Sequence, residues 1–200
     1  GAAIAKRGNL SPVKLQLNSG SAMVQGSKTG SQLKAVLWSS RTRHTAAAPE
    51  LLRAAHDLFG FNLDDFDSRY PPAVIEAGAR HLLLCLKDRD QLARMNYDLA
   101  TGAKLMRDWD LATINLVCEE ESGLFHSRNA FAAGGVFEDP ATGAAAAALV
   151  AYLAELDGSV SRITVLQGYD MGVPCIIHAE APEEAGGSAR VEGLVREIEE

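Results

Sequence analysis

Hydrophobic and polar positions in this chain follow two different periods, and the changes from one to the other mark out its elements. Val13-Lys14-Leu15-Gln16-Leu17 and Ala22-Met23-Val24-Gln25 alternate with period two on either side of Asn18-Ser19-Gly20-Ser21, which predicts a hairpin. Leu33 to Trp38 predicts a third strand. From Pro49 to Phe59 the spacing becomes helical, with Leu52, Ala55 and Phe59 on one side and Gly60 as the stop. Tyr70-Pro71-Pro72 interrupts the chain, and two strands are predicted after it, at Val74–Ala77 and Arg80–Leu86. The second is a near-continuous apolar run, suited to burial on both faces. Asp88 suits the cap of a helix through Leu92 and Met95, and another short helix is predicted from Ala100 to Trp109. Strands at Ala112–Cys118 and Gly123–Phe131 flank the acidic turn Glu119-Glu120-Glu121-Ser122. Strands at Arg162–Leu166, Cys175–Ala179 and Ala189–Val195 close the chain, the last two separated by Gly186-Gly187-Ser188.

One stretch fits neither an amphipathic helix nor a strand. Phe137-Glu138-Asp139-Pro140-Ala141-Thr142-Gly143 runs into Ala144–Leu153, about three turns of helix with almost no polar side chain. A helix that is apolar all round is expected to be buried on every face. Asp139 suits its N-cap and Pro140 its first turn, where a missing N–H costs nothing. The free N–H groups and positive dipole end of such a helix can hold a carboxylate or phosphate. The alternative is a well-capped core helix with no ligand.

The same order recurs. Gly1 to Gln25 reads as an alanine-rich helix, a glycine stop at Gly8 and a strand pair, and Gly143 to Ala179 repeats the scheme with Asp157-Gly158 as the stop. Two hundred residues allow one good core or two small lobes. With 47% hydrophobic and 22% charged residues the composition is that of an ordinary globular protein. A net charge of −7 and the lack of any basic stripe argue against a nucleic-acid partner. Cys85, Cys118 and Cys175 are far apart, in apolar surroundings, and read as buried free thiols of a reducing cytoplasm. His44, His56, His81 and His178 share no metal-ligand spacing, and no glycine-rich phosphate fingerprint occurs. No signal peptide or membrane-length apolar run is seen, so neither membrane nor metal is expected. The chain opens at Gly1 rather than a methionine, so its natural start is expected elsewhere.

Glu138-Asp139-Pro140-Ala141-Thr142-Gly143-Ala144 resembles the signature of the phenazine-biosynthesis PhzF-like isomerases. His126-Ser127-Arg128-Asn129-Ala130-Phe131 and Gln167-Gly168-Tyr169-Asp170-Met171-Gly172-Val173-Pro174 match further pieces, in order along the whole chain. The resemblance implies an α+β, diaminopimelate epimerase-like fold, with two similar lobes that each wrap a mixed sheet around a central helix. On that reading residues 1–110 are the remainder of an incomplete first lobe and residues 111–200 are the second. The expected chemistry is a proton shift on a small hydroxy- or amino-carboxylate, without metal or organic cofactor.

By the same resemblance Asp139 is the catalytic acid/base, with a purely capping role as the alternative. The substrate carboxylate is expected on the N–H groups of Thr142, Gly143 and Ala144. The family's serine after Thr-Gly is replaced by Ala144, which loses a hydroxyl but keeps the N–H. Its first-lobe glutamate and Gly-His-x-Thr segment have no counterpart in this sequence. A sister family of racemases and epimerases places a thiol just before Thr-Gly; Pro140 and Ala141 stand there, so thiol chemistry is not expected. Arg128 is a candidate partner for the substrate carboxylate through a bidentate fork, the alternative being a solvated strand arginine. His126, on the same face, reads as a neutral strand histidine. The rival to an isomerase is a non-catalytic family member that binds a small anion or a protein. An apolar face left bare by the first lobe predicts a homodimer.

Overall fold

The computed structural model describes residues 11–17 and 20–196, so the helix expected over Gly1–Gly8 lies outside the described residues. Twelve strands and four α-helices are described: β1 Val13–Leu17, β2 Gly20–Thr29, β3 Gln32–Arg41, β4 Arg43–Ala46, α1 Pro49–Phe59, β5 Ala73–Glu76, β6 Arg80–Leu86, α2 Arg89–Ala93, α3 Leu99–Asp108, β7 Thr113–Glu121, β8 Leu124–Ala130, β9 Glu138–Asp139, α4 Gly143–Leu156, β10 Arg162–Gln167, β11 Cys175–Glu180 and β12 Ser188–Val195. Local chemistry sets most boundaries. Pro49 opens α1, and Gly60 ends it in the left-handed conformation with φ 70°. Asp88 and Asp98 cap α2 and α3 by accepting the N–H groups of Asp90 and Thr101.

The strands form one mixed sheet in the order β1-β2-β3-β12-β11-β10-β8-β7-β6-β5-β4, with β9 beside β8. The β6–β7 and β8–β10 pairs are parallel and the others antiparallel. β3 and β4 stand far apart in that order yet are consecutive in the chain, joined through Thr42. The N–H and hydroxyl of Thr42 both donate to Gly187 C=O, at 3.0 and 2.9 Å, and fix this corner. The sheet between β3 and β4 is thereby brought round α4, whose residues Ala145 to Leu153 are all buried.

The pleat divides the sheet residues between two cores. Leu83, Cys85, Val117, Phe125, Ile163, Val165, Ile177 and Val191 pack on α4. Leu82, Leu84, Leu86, Ile114, Leu116 and Cys118 face the other way, onto α1, α2 and α3. This mixed sheet with few helices is the expected α+β class. Position 110/111 falls between β6 and β7, which are hydrogen-bonded neighbours and both line the core around α4.

Candidate functional site

β8 and β9 build one side of the site. Asn129 pairs with Asp139 and Ala130 with Glu138, so Asp139 shares the face of β8 that is turned to α4, and Glu138 the opposite face. This pairing corrects the expected start of α4. Asp139 is the last residue of a strand rather than an N-cap, and Pro140, Ala141 and Thr142 make the turn into a helix that begins at Gly143. Its N-cap is Thr142, whose own side chain makes no capping bond. The Asp139 carboxylate instead accepts the Thr142 hydroxyl at 2.6 Å.

Gln167, at the end of β10, closes this turn from the other side. It is only 1% exposed. Its Nε2 donates to Asp139 C=O at 2.6 Å and to Thr142 Oγ1 at 3.0 Å, while its Oε1 accepts the Thr142 N–H at 3.0 Å. The Thr142 N–H is therefore occupied, which corrects its expected place under a substrate carboxylate. The first bond within the helix runs from Ala146 N–H to Thr142 C=O at 3.1 Å, so the N–H groups of Gly143, Ala144 and Ala145 precede the ladder. Gly143 and Ala144 are half-buried at the mouth, whereas Ala145 is buried. Cys175, the partner of Gln167 across the β10–β11 ladder, is half-buried on the same side. Burial first, and then the charge of Asp139, push its thiol pKa up.

Arg128 lies on the other face of β8. It is buried and grips Glu138 with Nε at 3.2 and 3.1 Å from the two carboxylate oxygens and Nη2 at 2.6 Å from Oε2. Its Nη1 reaches the carbonyls of Ala93 at 2.9 Å and Met95 at 3.3 Å, at the C-terminal end of α2. The guanidinium thus neither faces the mouth of α4 nor stands solvated. His126 shares its face, as expected, and its Nε2 meets Glu120 Oε2 at 2.8 Å. Arg89 ties Asp170 of the Gly168–Pro174 turn to the same region, with Nη2 2.9 Å from both carboxylate oxygens.

Behind Asp139, the face of the sheet turned to α4 carries a buried polar chain that sequence reading missed. Asn129 Nδ2 donates to Asn115 Oδ1 at 3.1 Å and Ser127 Oγ at 3.2 Å, and its Oδ1 accepts the Thr113 hydroxyl at 2.8 Å. Thr113 Oγ1 in turn meets His81 Nδ1 at 2.7 Å. Thr113 has given its one proton to Asn129, so His81 donates from Nδ1, and its buried Nε2 has no partner among the described residues. Burial lowers its pKa to about 4. Part of the signal was present in the sequence, since Thr113 and Asn115 alternate with Ile114 and Leu116 in β7, whereas Ser127 and Asn129 are masked by the neighbouring His126 and Arg128 of β8. A separate open depression of about 850 Å³ lies at the other end of α4, lined by Tyr70, Glu119, Leu153, Asp157 and Arg162 among others, and holds none of the expected site residues.

Comparison with known proteins gives the family and the fold. The family described as phenazine biosynthesis-like protein matches residues 2–193. The chain belongs to that family. Among curated members, it is 34% identical over 130 residues to trans-2,3-dihydro-3-hydroxyanthranilate isomerase of Pseudomonas fluorescens, covering 63% of this chain and 44% of that protein. It is 28% identical over 132 residues to an uncharacterised isomerase of Mesorhizobium japonicum, covering 60% of this chain and 44% of that one. The matched part is thus less than half the length of either relative. Solved structures of the family share the fold. A PhzF-family phenazine biosynthesis protein of Bacillus anthracis superposes with a TM-score of 0.74 at 18% identity, over 97% of this chain and 71% of its own. A predicted epimerase of Pseudomonas aeruginosa gives 0.71 at 25% identity, over 93% and 65%.

Proposed function

We propose that this phenazine biosynthesis-like family member is an isomerase that shifts a proton on a small carboxylate-bearing metabolite. Asp139 is the acid/base, and the N–H groups of Gly143 and Ala144 receive the substrate carboxylate. The observation that carries this reading is the placement of the Asp139 carboxylate, fixed by the Thr142 hydroxyl at 2.6 Å, beside a helix start that the Thr142 side chain does not cap. A proton transfer at carbon needs a base against the C–H and positive potential for the charge that develops. In the step, the C–H bond breaks, its electron pair stays on the substrate, and the proton passes to Asp139 before returning at another carbon. The donors and the base are all protein groups, so the step needs no metal or organic cofactor. The free thiols of Cys85, Cys118 and Cys175 support a reducing, cytoplasmic setting.

A second reading, anion binding without turnover, is favoured by Ala144, whose methyl group offers the substrate no hydroxyl. Deuterium incorporation from D₂O into trans-2,3-dihydro-3-hydroxyanthranilate, followed by NMR, separates the two. Turnover gives exchange that Asp139→Asn reduces on the order of 10²–10⁴-fold. Shifts of the Gly143 and Ala144 amides on adding the compound, without exchange, support the binder. An Asp139→Asn protein that exchanges as fast as its parent overturns the catalytic assignment.

A further inference from the structure

Two contacts leave the Gln167 side-chain amide one orientation. The Thr142 N–H requires an acceptor and the Asp139 C=O requires a donor, so Oε1 and Nε2 are assigned by their partners, at 3.0 and 2.6 Å. The second Nε2 proton then falls on Thr142 Oγ1 at 3.0 Å. A hydroxyl that accepts there has a single proton left to give, and Asp139 Oδ2 is 2.6 Å away. Among the described residues Asp139 Oδ1 accepts no hydrogen bond.

We propose that Gln167 is a positioning residue which, through the Thr142 hydroxyl, engages Oδ2 of Asp139 and leaves Oδ1 as the atom that exchanges a proton with the substrate. This inference rests on the isomerase reading above. Gln167 is anchored by burial and by its place at the end of β10, so it holds the Asp139–Thr142 turn as a staple. Gly168 carries the same packing forward, for a Cβ there would lie 3.0 Å from Pro140 C=O. A carboxylate held in one orientation before the substrate arrives needs no reorganisation during the step, whereas a misplacement of about 1 Å can lower a rate on the order of 10²-fold.

NMR of the full chain tests the geometry without any need for turnover. A Thr142 hydroxyl resonance protected from solvent, with a cross-relaxation peak to Gln167 Hε2, is expected in the parent and is lost in Gln167→Met. A Thr142 hydroxyl in fast exchange with water in the parent overturns the relay. Deuterium exchange into trans-2,3-dihydro-3-hydroxyanthranilate tests the role. Thr142→Val and Gln167→Met are expected to lower kcat on the order of 10²-fold with little change in KM, and Thr142→Ser, which keeps the hydroxyl, is expected to rescue the loss. Full exchange in Thr142→Val and Gln167→Met, alongside lost exchange in Asp139→Asn, overturns the relay and leaves the isomerase reading standing. Full exchange in Asp139→Asn sinks both. Thr142→Val is half-buried and still reports should Gln167→Met fail to fold.

Discussion

Arg128 and Glu138 form a buried bidentate ion pair, Nη2 to Oε2 at 2.6 Å, in which the two side chains are only 9% and 2% exposed. It fastens the two-residue strand β9 to β8 from the face opposite Asp139, so the residue next to the proposed acid/base is the one that is clamped. Removing one partner strands the other charge in the core. Glu138→Gln and Arg128→Met are each expected to lower stability to urea by about 3–5 kcal/mol. The double variant Arg128→Met/Glu138→Leu, which removes both charges, is expected to recover much of that loss. Single variants as stable as the parent would show that the pair does not hold β9.

His81 makes stability depend on pH with a defined sign. Its pKa is about 4 in the folded chain against an ordinary 6.5. Above the ordinary value neither state carries the proton, and this contribution is fully present. As pH falls from 6.5 towards 4 the unfolded chain takes a proton that the folded chain refuses, so stability falls across that window. At about 1.4 kcal/mol per unit the loss is roughly 3 kcal/mol. His81→Leu is expected to flatten this part of the profile, and the comparison is made by urea unfolding at closely spaced pH values. An unchanged slope would mean that His81 is charged or solvated in the folded protein.

The strands and helices were legible where local chemistry decides them. The apolar run of β6, the Pro49 and Gly60 boundaries of α1 and the all-apolar α4 each carry their own signal. What was misread depends on partners distant in sequence. Asp139 before Pro140 reads as a cap, and only pairing with Asn129 turns Glu138–Asp139 into a strand and moves the helix start to Gly143. A charged residue such as Arg128 in a strand reads as solvated or as ligand-binding, because nothing local announces Glu138 ten residues on. Gln167 was visible within a matching segment, but its role exists only once β10 is laid against the Pro140–Thr142 turn. Cys175 read as buried with the other thiols, yet the first residue of β11 lies at the mouth and is half-buried.

Gly168 is held where a side chain has no room. Its φ is +78°, and a Cβ would lie 2.2 Å from Val173 C=O and 3.0 Å from Pro140 C=O, both backbone atoms that cannot swing aside. Gly172 in the same turn has a similar φ of +75° but nothing within 4 Å of the Cβ position. The pair separates backbone strain from crowding. Gly172→Ala is expected to lower stability by about 1–2 kcal/mol, the left-handed penalty alone. Gly168→Ala is expected to lower it by more than about 2 kcal/mol and to shift the Gln167 and Thr142 amide resonances. Equal losses in the two variants would remove the case for close packing between this turn and Pro140.

The closeness of Cys175 to Asp139 can be read from thiol chemistry, with no substrate at all. The pKa values of Cys85 and Cys118 are raised chiefly by burial, and both side chains lie in the two cores. Neither is expected to react with iodoacetamide in the native protein. Cys175 is reachable, but burial and the negative charge of Asp139 both disfavour its thiolate, which is the form that reacts. Its alkylation at neutral pH is therefore expected to be slow and to quicken as pH rises. Asp139→Asn removes one of the two causes while keeping the size of the side chain and an oxygen for the Thr142 hydroxyl. It is expected to lower the Cys175 pKa and to speed alkylation severalfold at fixed pH. A lower pKa also makes the thiolate slightly less nucleophilic, but that effect grows at only about half the rate at which the thiolate fraction increases. The net change is an acceleration confined to Cys175, seen by peptide mass mapping of the three cysteines. An unchanged or slower rate would place the Asp139 charge elsewhere than over the β10–β11 end of the mouth, and with it the carboxylate on which the proposed proton transfer depends.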